Sequence, residues 1–273
     1  MAKIQYGVED PGFKPKDLLV PAHVVGRGAL EGVASVGRGG YLAVGAVRAL
    51  RKVDIWGPLF VPQLWAVGVA SIPIALFILM FTGIVMAIQA SYTFTGTVPL
   101  YFVGALTAKT IILELGPVLA GLALAGRVGA SVAAELGSMR VSEQIDALEA
   151  LAYDPVAYLV VPRVLAGMIM FPVVTSFAMV VGIMASWGTS LAMLDLTTPE
   201  FVKGLRLFFD PYDVQFALIK ATSFGITVTG VGCFYGFNTR GGAEGVGIAT
   251  TRAVVVSSMI ILVLDAFWAA ALL

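Results

Sequence analysis

The sequence predicts an all-α integral membrane protein with five transmembrane helices. Of its 273 residues, 59% are hydrophobic and only 12% are charged, whereas a soluble domain carries about 25% charged residues. The mean hydropathy of +0.93 agrees with this. In addition, the chain contains five apolar stretches, each long enough for the roughly 20 residues that a helix needs to cross a bilayer.

The five predicted spans differ in how purely apolar they are. No charged residue occurs between Asp54 and Lys109, and the first span lies inside that interval. Pro73 and Gly83 interrupt the first span, which membrane helices tolerate. The predicted spans are residues 64–90, 106–126, 164–194, 214–238 and 253–273.

The chain is predicted to divide into an N-terminal segment, residues 1–54, and a five-helix membrane domain, residues 55–273. Residues 17–52 of the N-terminal segment are predicted to be helical. An interfacial helix lying on the cytoplasmic leaflet is the favoured interpretation, and a soluble tail packed on the bundle is the alternative. One face of this helix holds Leu30, Val33, Tyr41, Val44 and Val47, and another holds Glu31, Ser35 and Arg38.

The distribution of Lys and Arg predicts the orientation, because cytoplasmic loops carry an excess of these residues. The predicted outer loops hold only Lys203 and Arg206. We therefore predict a multi-pass membrane protein with a cytoplasmic N-terminus and an outer C-terminus. The cytoplasmic excess comprises Lys3, Lys14, Lys16, Arg27, Arg38, Arg48, Arg51, Lys52, Arg127, Arg140, Arg240 and Arg252.

Several classes of function are disfavoured by what the sequence lacks. The net charge is zero, so nothing suggests nucleic-acid binding. Cys233 and His23 are the only cysteine and histidine, which are too few nitrogen and sulfur ligands for a zinc site. No phosphate-binding G-x-x-x-x-G-K-[ST] motif and no nucleophile or zinc-protease motif occurs. We therefore expect no catalytic residue, no metal and no cofactor in this chain.

A polar helix is predicted at about residues 133–155, between spans two and three. It places apolar residues on one face and acidic residues on the other, and Asp154 ends it because proline follows. Such a helix docks into a groove on a partner or is an ordinary solvated loop helix. The apolar face holds Val141, Ile145, Leu148 and Ala152, and the acidic face holds Glu143, Asp146 and Glu149.

Four charged residues fall inside predicted spans, where a charge at the helix centre costs about 2.5–3.5 kcal/mol on insertion scales. Lys109 is predicted simply to extend to the outer surface. Glu114 and Lys220 are both predicted in the outer half of the membrane. They either pair with each other or line a site for a lipid headgroup. Asp265 is predicted to be a packing partner, to a serine or an arginine, rather than a proton relay.

Small residues recur in the second predicted span and allow a neighbouring helix to approach closely. They mark an interface, either within one subunit or between two. One set is Gly121, Ala125, Gly129 and Ala133, and the offset set is Gly126, Ala130 and Ala134.

Two long runs carry a resemblance to a known family. Residues 114–155 read ELGPVLAGLALAGRVGASVAAELGSMRVSEQIDALEALAYDP, and residues 238–265 read NTRGGAEGVGIATTRAVVVSSMIILVLD. Both resemble the MlaE-type permeases of MCE-associated ABC transporters. The resemblance implies a permease dimer of the bacterial inner membrane that moves phospholipid or a related lipid. It also implies a cytoplasmic ATPase dimer that binds ATP and Mg, an oligomeric MCE-domain lipid-binding protein on the other side, and in some members a small STAS-domain protein.

The resemblance also implies roles for individual residues. It favours a headgroup site at Glu114 and Lys220. One departure is Leu113, where many relatives have a basic residue. The implied ATPase-coupling residues are Glu135, Gly137, Met139, Arg140, Glu143, Gln144, Asp146 and Leu148, and the implied lipid-tail lining is Phe81, Val85, Met86, Gln89 and Tyr92.

Two other functions compete with a lipid permease. A stand-alone secondary transporter or channel for an amphipathic solute is the alternative, but such proteins favour paired inverted repeats, and the sequence shows none. A membrane enzyme acting on lipid would need a catalytic constellation that the sequence lacks.

Overall fold

A computed structural model describes residues 33–93, 99–194 and 196–272, and within these ranges the chain is helical with no strand. Five helices are long and apolar enough to cross a membrane, which confirms the predicted fold class. We call them spans one to five. They are Val53–Ala90, Phe102–Val141, Val156–Met193, Pro211–Phe237 and Gly242–Leu272.

The described residues divide into two units, residues 33–44 and residues 45–272. Within the first unit, residues 33–44 are helical and expose Val33, Val36 and Tyr41. The rest of the predicted N-terminal helix, residues 17–32, lies outside the described residues. Its placement on the membrane surface stays a prediction.

Span one is interrupted, but not where the sequence predicts. A helix at Val53–Val67 is followed by a 3-10 turn at Val69–Ser71 and then by a helix at Ile72–Thr93. Pro73 lies in the first turn of that last helix, where a missing backbone N–H costs nothing. Gly83 does not break the helix either. A Cβ at Gly83 would meet the carbonyl of Gly182 in span three, so this glycine serves a close helix crossing.

Span two extends well past its predicted end at Gly126. Helices Phe102–Thr110, Gly116–Leu124 and Ala130–Val141 are joined by π-helical turns at Ile111–Leu115 and Ala125–Gly129. Such π segments are rare and are frequent at functional sites. Each of the two holds one charged residue: Glu114 in the first and Arg127 in the second.

The prediction of one continuous helix at residues 133–155 is wrong, because span two ends inside this range and a separate short helix follows. Span two ends at Val141, and Glu143 takes a left-handed backbone conformation with φ of 60°. A short connection helix, Gln144–Ala150, follows and is anchored by the buried Ile145. A π segment at Val156–Val160 then leads into the helix Val161–Met193. We call this end of the bundle the connection end.

The opposite end carries a loop helix, Thr198–Leu207, which begins with a capping box. The Thr197 backbone N–H and hydroxyl donate to the Glu200 carboxylate, and these hydrogen bonds lower the pKa of Glu200. The loop helix packs on the start of span two, where a Cβ at Gly204 would meet the carbonyl of Tyr101. We call this the loop-helix end.

The spans pack in the order one, three, four, with span four also contacting spans two and five. The small-residue set Gly121, Ala125, Gly129 and Ala133 is buried, and its glycines meet Phe224 and Val228 of span four and Ile261 and Ser257 of span five. This set is therefore an interface within one subunit, which answers the question that the sequence left open. The offset set Gly126, Ala130 and Ala134 is only partly covered or exposed.

Spans three and four cross through Gly167 and Gly225, and we predict that this crossing is intolerant of a methyl group. A Cβ at Gly225 would overlap the Gly167 carbonyl, whereas a Cβ at Gly230 of the same helix meets nothing within 4 Å. Gly225→Ala should lower the free energy of unfolding by about 1–3 kcal/mol through overpacking. Gly230→Ala should leave it unchanged or raise it, because alanine favours helix. Thermal unfolding in detergent measures both, and equal stability would contradict the crossing.

Candidate functional site

Three charged side chains from spans two, four and five form one cluster inside the bundle. Lys220 Nζ donates to the Glu114 carboxylate at 2.8 Å and to the Leu113 carbonyl at 3.2 Å. It also forms an ion pair with Asp265. The predicted partner of Asp265, a serine or an arginine, is therefore wrong, and a lysine takes that place. We call Glu114, Lys220 and Asp265 the charge cluster.

The members of the charge cluster differ greatly in exposure. The Lys220 side chain is fully buried and that of Asp265 is 13% exposed, whereas Glu114 is 48% exposed. With two carboxylates and one ammonium, the cluster carries one excess negative charge when all three groups are ionised. Because Asp265 is enclosed and Glu114 is not, the negative charge that a ligand can reach is that of Glu114.

An apolar groove of about 430 Å³ lies next to Glu114, between span two and the end of the loop helix. Within it, Lys109 does not simply extend to the surface as a free cation. Its Nζ lies 3.2 Å from the Asp213 carboxylate and 3.5 Å from the Phe208 carbonyl oxygen. Such a groove suits an amphipathic molecule whose polar part reaches Glu114. Its lining residues are Phe102, Ala105, Leu106, Lys109, Thr110, Leu113, Glu114 and Phe208.

The span-one residues predicted to line a lipid tail do not line this groove. Phe81, Val85, Gln89 and Tyr92 are exposed along the outer face of their helix, and Met86 is half-buried. Their role stays a prediction. Sequence reasoning missed Phe102, Phe208 and Asp213. Of these, only Asp213 carried a signal in the sequence, because an acid at the start of span four can pair with Lys109.

At the connection end, several residues predicted to couple to an ATPase have partners within the chain. Glu135 forms an ion pair with Arg163, whose side chain is only 4% exposed. The distance from Glu135 Oε1 to Arg163 Nη2 is 2.8 Å. Arg163 Nη1 also donates to the Leu159 carbonyl at 2.7 Å. Sequence reasoning missed Arg163, which holds Glu135 against span three. Gly137 is buried, and a Cβ there would meet Thr239.

The remaining coupling residues form a surface around the connection helix. Arg140 pairs with Asp146, and Gln144 donates to the Ser142 hydroxyl at 3.0 Å. Glu143, Gln144 and Asp146 are exposed, whereas Met139, Arg140 and Leu148 are half-buried. The connection helix therefore presents exposed charged groups and part-covered apolar groups on one surface.

A third ion pair at the connection end lies close to the start of span three. Lys52 Nζ lies 2.8 Å from the Asp154 carboxylate, and Asp154 also accepts from the backbone N–H groups of Val156 and Ala157. Partial burial raises the pKa of Asp154, but these hydrogen bonds outweigh it and the pKa is lowered. The start of span one is thereby tied to the start of span three. Within the part of the chain that the structure describes, no three His, Cys, Asp or Glu side chains are grouped to hold a metal ion.

Comparison with known proteins gives a consistent result. The family model described as Permease MlaE matches residues 60–271. A "Probable ABC transporter permease protein" of Rickettsia prowazekii is 38% identical over 90% of this chain and 95% of its own length. The "Intermembrane phospholipid transport system permease protein MlaE" of Haemophilus influenzae is 33% identical over 88% of this chain and 93% of its own length. "Protein TRIGALACTOSYLDIACYLGLYCEROL 1, chloroplastic" of Arabidopsis thaliana is 36% identical over 74% of this chain and 58% of its own length.

Proposed function

This chain belongs to the MlaE permease family, and we propose that it is the membrane subunit of an ATP-driven transporter for phospholipid or a related lipid. In this proposal two copies of the chain assemble with a cytoplasmic ATPase dimer, which binds ATP and Mg. An MCE-domain protein receives or delivers lipid on the other side of the bacterial inner membrane.

The observation that supports a lipid substrate is the half-exposed Glu114 beside an apolar groove. A carboxylate in a membrane-spanning helix is by default a functional group. Lys220, which is itself paired with Asp265, holds it in place from the buried side. The groove then offers an apolar wall to acyl chains while Glu114 meets the polar headgroup.

We place the connection end in the cytoplasm and the loop-helix end on the MCE-protein side. The excess of Lys and Arg in the segments at the connection end supports this orientation. It puts the connection helix within reach of the ATPase and the groove in the outer half of the membrane.

Span two supplies a physical link between the two sites. It runs as one helix from Phe102 to Val141, so a displacement at the connection end is carried along the helix to Glu114. Its two π segments are the places where the helix geometry departs from regular α. ATPase closure would therefore act on the groove through this span, with the Arg163–Glu135 pair carrying span three along.

The test of the substrate site is Glu114→Gln. The amide keeps the size of the side chain and still accepts from Lys220, so assembly should be unchanged. ATP-dependent transfer of a fluorescent phospholipid by the reconstituted complex should fall about tenfold, because a charge-assisted hydrogen bond to the headgroup is lost. Glu244→Gln, which changes an exposed glutamate at the other end of the bundle, should transfer normally. Normal transfer by Glu114→Gln would exclude this site.

The purified chain alone tests the alternative of a stand-alone transporter. The purified chain without an ATPase should neither hydrolyse ATP nor transfer lipid, because it lacks a phosphate-binding loop. ATP-independent transfer by the chain alone would support a secondary transporter and refute the subunit assignment.

A further inference from the structure

Arg127 is the second charged residue that a π segment places in span two. It follows Glu114 by thirteen residues, about 20 Å along the helix at 1.5 Å per residue. It is half-buried, and the function proposed above does not use it. An ionisable residue inside a spanning helix is by default a candidate for a functional site, with a partner to be identified.

Within the described residues, Arg127 has no carboxylate within ion-pair distance. Its side-chain partner there is the hydroxyl of Ser71, to which Nη1 donates. A guanidinium has five N–H donors, so one neutral hydroxyl leaves most of its hydrogen-bonding capacity unused. Ser71 itself is fully buried and also donates to the Val67 carbonyl, so it cannot turn away to satisfy another group at little cost.

The contact with Ser71 also fixes the depth of Arg127. Ser71 immediately precedes Ile72–Thr93, a charge-free helix of 22 residues. At 1.5 Å per residue this helix is about 33 Å long, close to the roughly 30 Å thickness of the hydrocarbon core. With this helix taken as the part of span one that crosses the hydrocarbon core, Arg127 lies at its connection-end boundary, which is the level of lipid phosphates.

The surroundings of Arg127 leave it open to a ligand. Gly126 is exposed, and a Cβ there would meet nothing within 4 Å. Ala130 is partly covered and Ser131 is exposed on the next turn. These small side chains leave room for a ligand beside the half-buried Arg127.

We propose that Arg127 binds the phosphate of a phospholipid in the connection-end leaflet, at a site distinct from the charge cluster. Planar guanidinium groups match phosphate oxygens in a two-pronged geometry that an ammonium does not reproduce. This inference rests on the proposed function only in taking phospholipid as the ligand. It gives span two one polar lipid contact in each half of the membrane.

The experiment compares a phospholipid with a lipid that lacks the phosphate. Native mass spectrometry of the full-length protein in detergent would follow titration with didecanoyl phosphatidylcholine or didecanoylglycerol. Arg127→Met should weaken the tightest phosphatidylcholine binding about tenfold and leave didecanoylglycerol binding unchanged. Arg127→Lys should recover only part of the loss. Arg252→Met removes a fully charged but exposed arginine at the same end and should change the tightest binding less than twofold.

Other partners for Arg127 predict different results. If it only ties span two to Ser71, then Ser71→Ala and Arg127→Met will lose the same thermal stability and neither will change lipid affinity, which overturns the proposal. If an acidic residue of a second copy or of residues 1–32 is the partner, Arg127→Met will alter assembly or stability but not phosphatidylcholine affinity, which also overturns it. Loss of binding in Arg127→Met, with normal binding in Ser71→Ala, supports it. Failure of wild-type lipid transfer would instead refute the proposed function.

Discussion

Lys220→Met is expected to be the most damaging single change in the charge cluster. It leaves Glu114 and Asp265 facing each other with no cation between them. Removing one partner of a buried ion pair typically costs about 3–5 kcal/mol, and the exposure of Glu114 places the expected loss at the lower end of that range. Thermal unfolding in detergent measures it, and the yield of folded protein should fall in parallel.

Two carboxylates contribute to the stability lost in Lys220→Met, and a second substitution separates their contributions. Adding Asp265→Asn to Lys220→Met should restore more stability than adding Glu114→Gln, because Asp265 is enclosed and water already solvates Glu114. Equal rescue by the two second changes would mean that both carboxylates experience the same environment. That result would contradict the difference in exposure on which the headgroup site depends.

Because the charge cluster has three members, an exchange of only two of its charges is not an informative test. Exchanging the charges of Glu114 and Lys220 would restore an isolated ion pair. Here it would also place a carboxylate beside Asp265, so the exchange would fail whether or not lipid binds. A three-charge exchange that includes Asp265 is the symmetric test. If it restores folding but not lipid transfer, the sign of the field at the groove matters to the substrate.

The fold was predictable from sequence where the signal is local. Hydropathy marks each span because the hydrocarbon core demands apolar side chains over a fixed length. The exact helix ends were not predictable, because a helix such as span two continues to Val141 beyond the apolar region. Neither was the left-handed Glu143, since a glycine or asparagine is the usual signal for that conformation.

The candidate site was predictable only in part, for a related reason. Glu114 and Lys220 stand out because any charge in a spanning helix does. The groove and the Lys220–Asp265 contact depend on which helices are neighbours, and a single sequence does not encode that visibly. Arg163 was missed because it lies just before a span and there resembles an ordinary anchoring arginine.

The connection helix is expected to be as sensitive as the charge cluster, but through assembly rather than folding. Leu148 is half-buried and Glu143 is exposed, so changing either should leave the bundle intact. We predict that Leu148→Asp and Glu143→Lys each reduce retention of the ATPase on the purified permease by about tenfold, because a charge is buried in the contact or reversed there. Co-purification with the tagged permease measures this, and membrane insertion should be normal.

Matched changes separate docking from a general effect on the helix. Ile145 is buried, so Ile145→Asp would disrupt the connection itself and is not informative. Glu149→Lys makes the same charge change on an exposed position of the same helix outside the proposed coupling set, and it should retain the ATPase. Wild-type retention and lipid transfer in both Leu148→Asp and Glu143→Lys would show that the ATPase does not bind here. Equal loss in Glu149→Lys would mean that retention depends on the overall charge of the helix and not on the proposed contact.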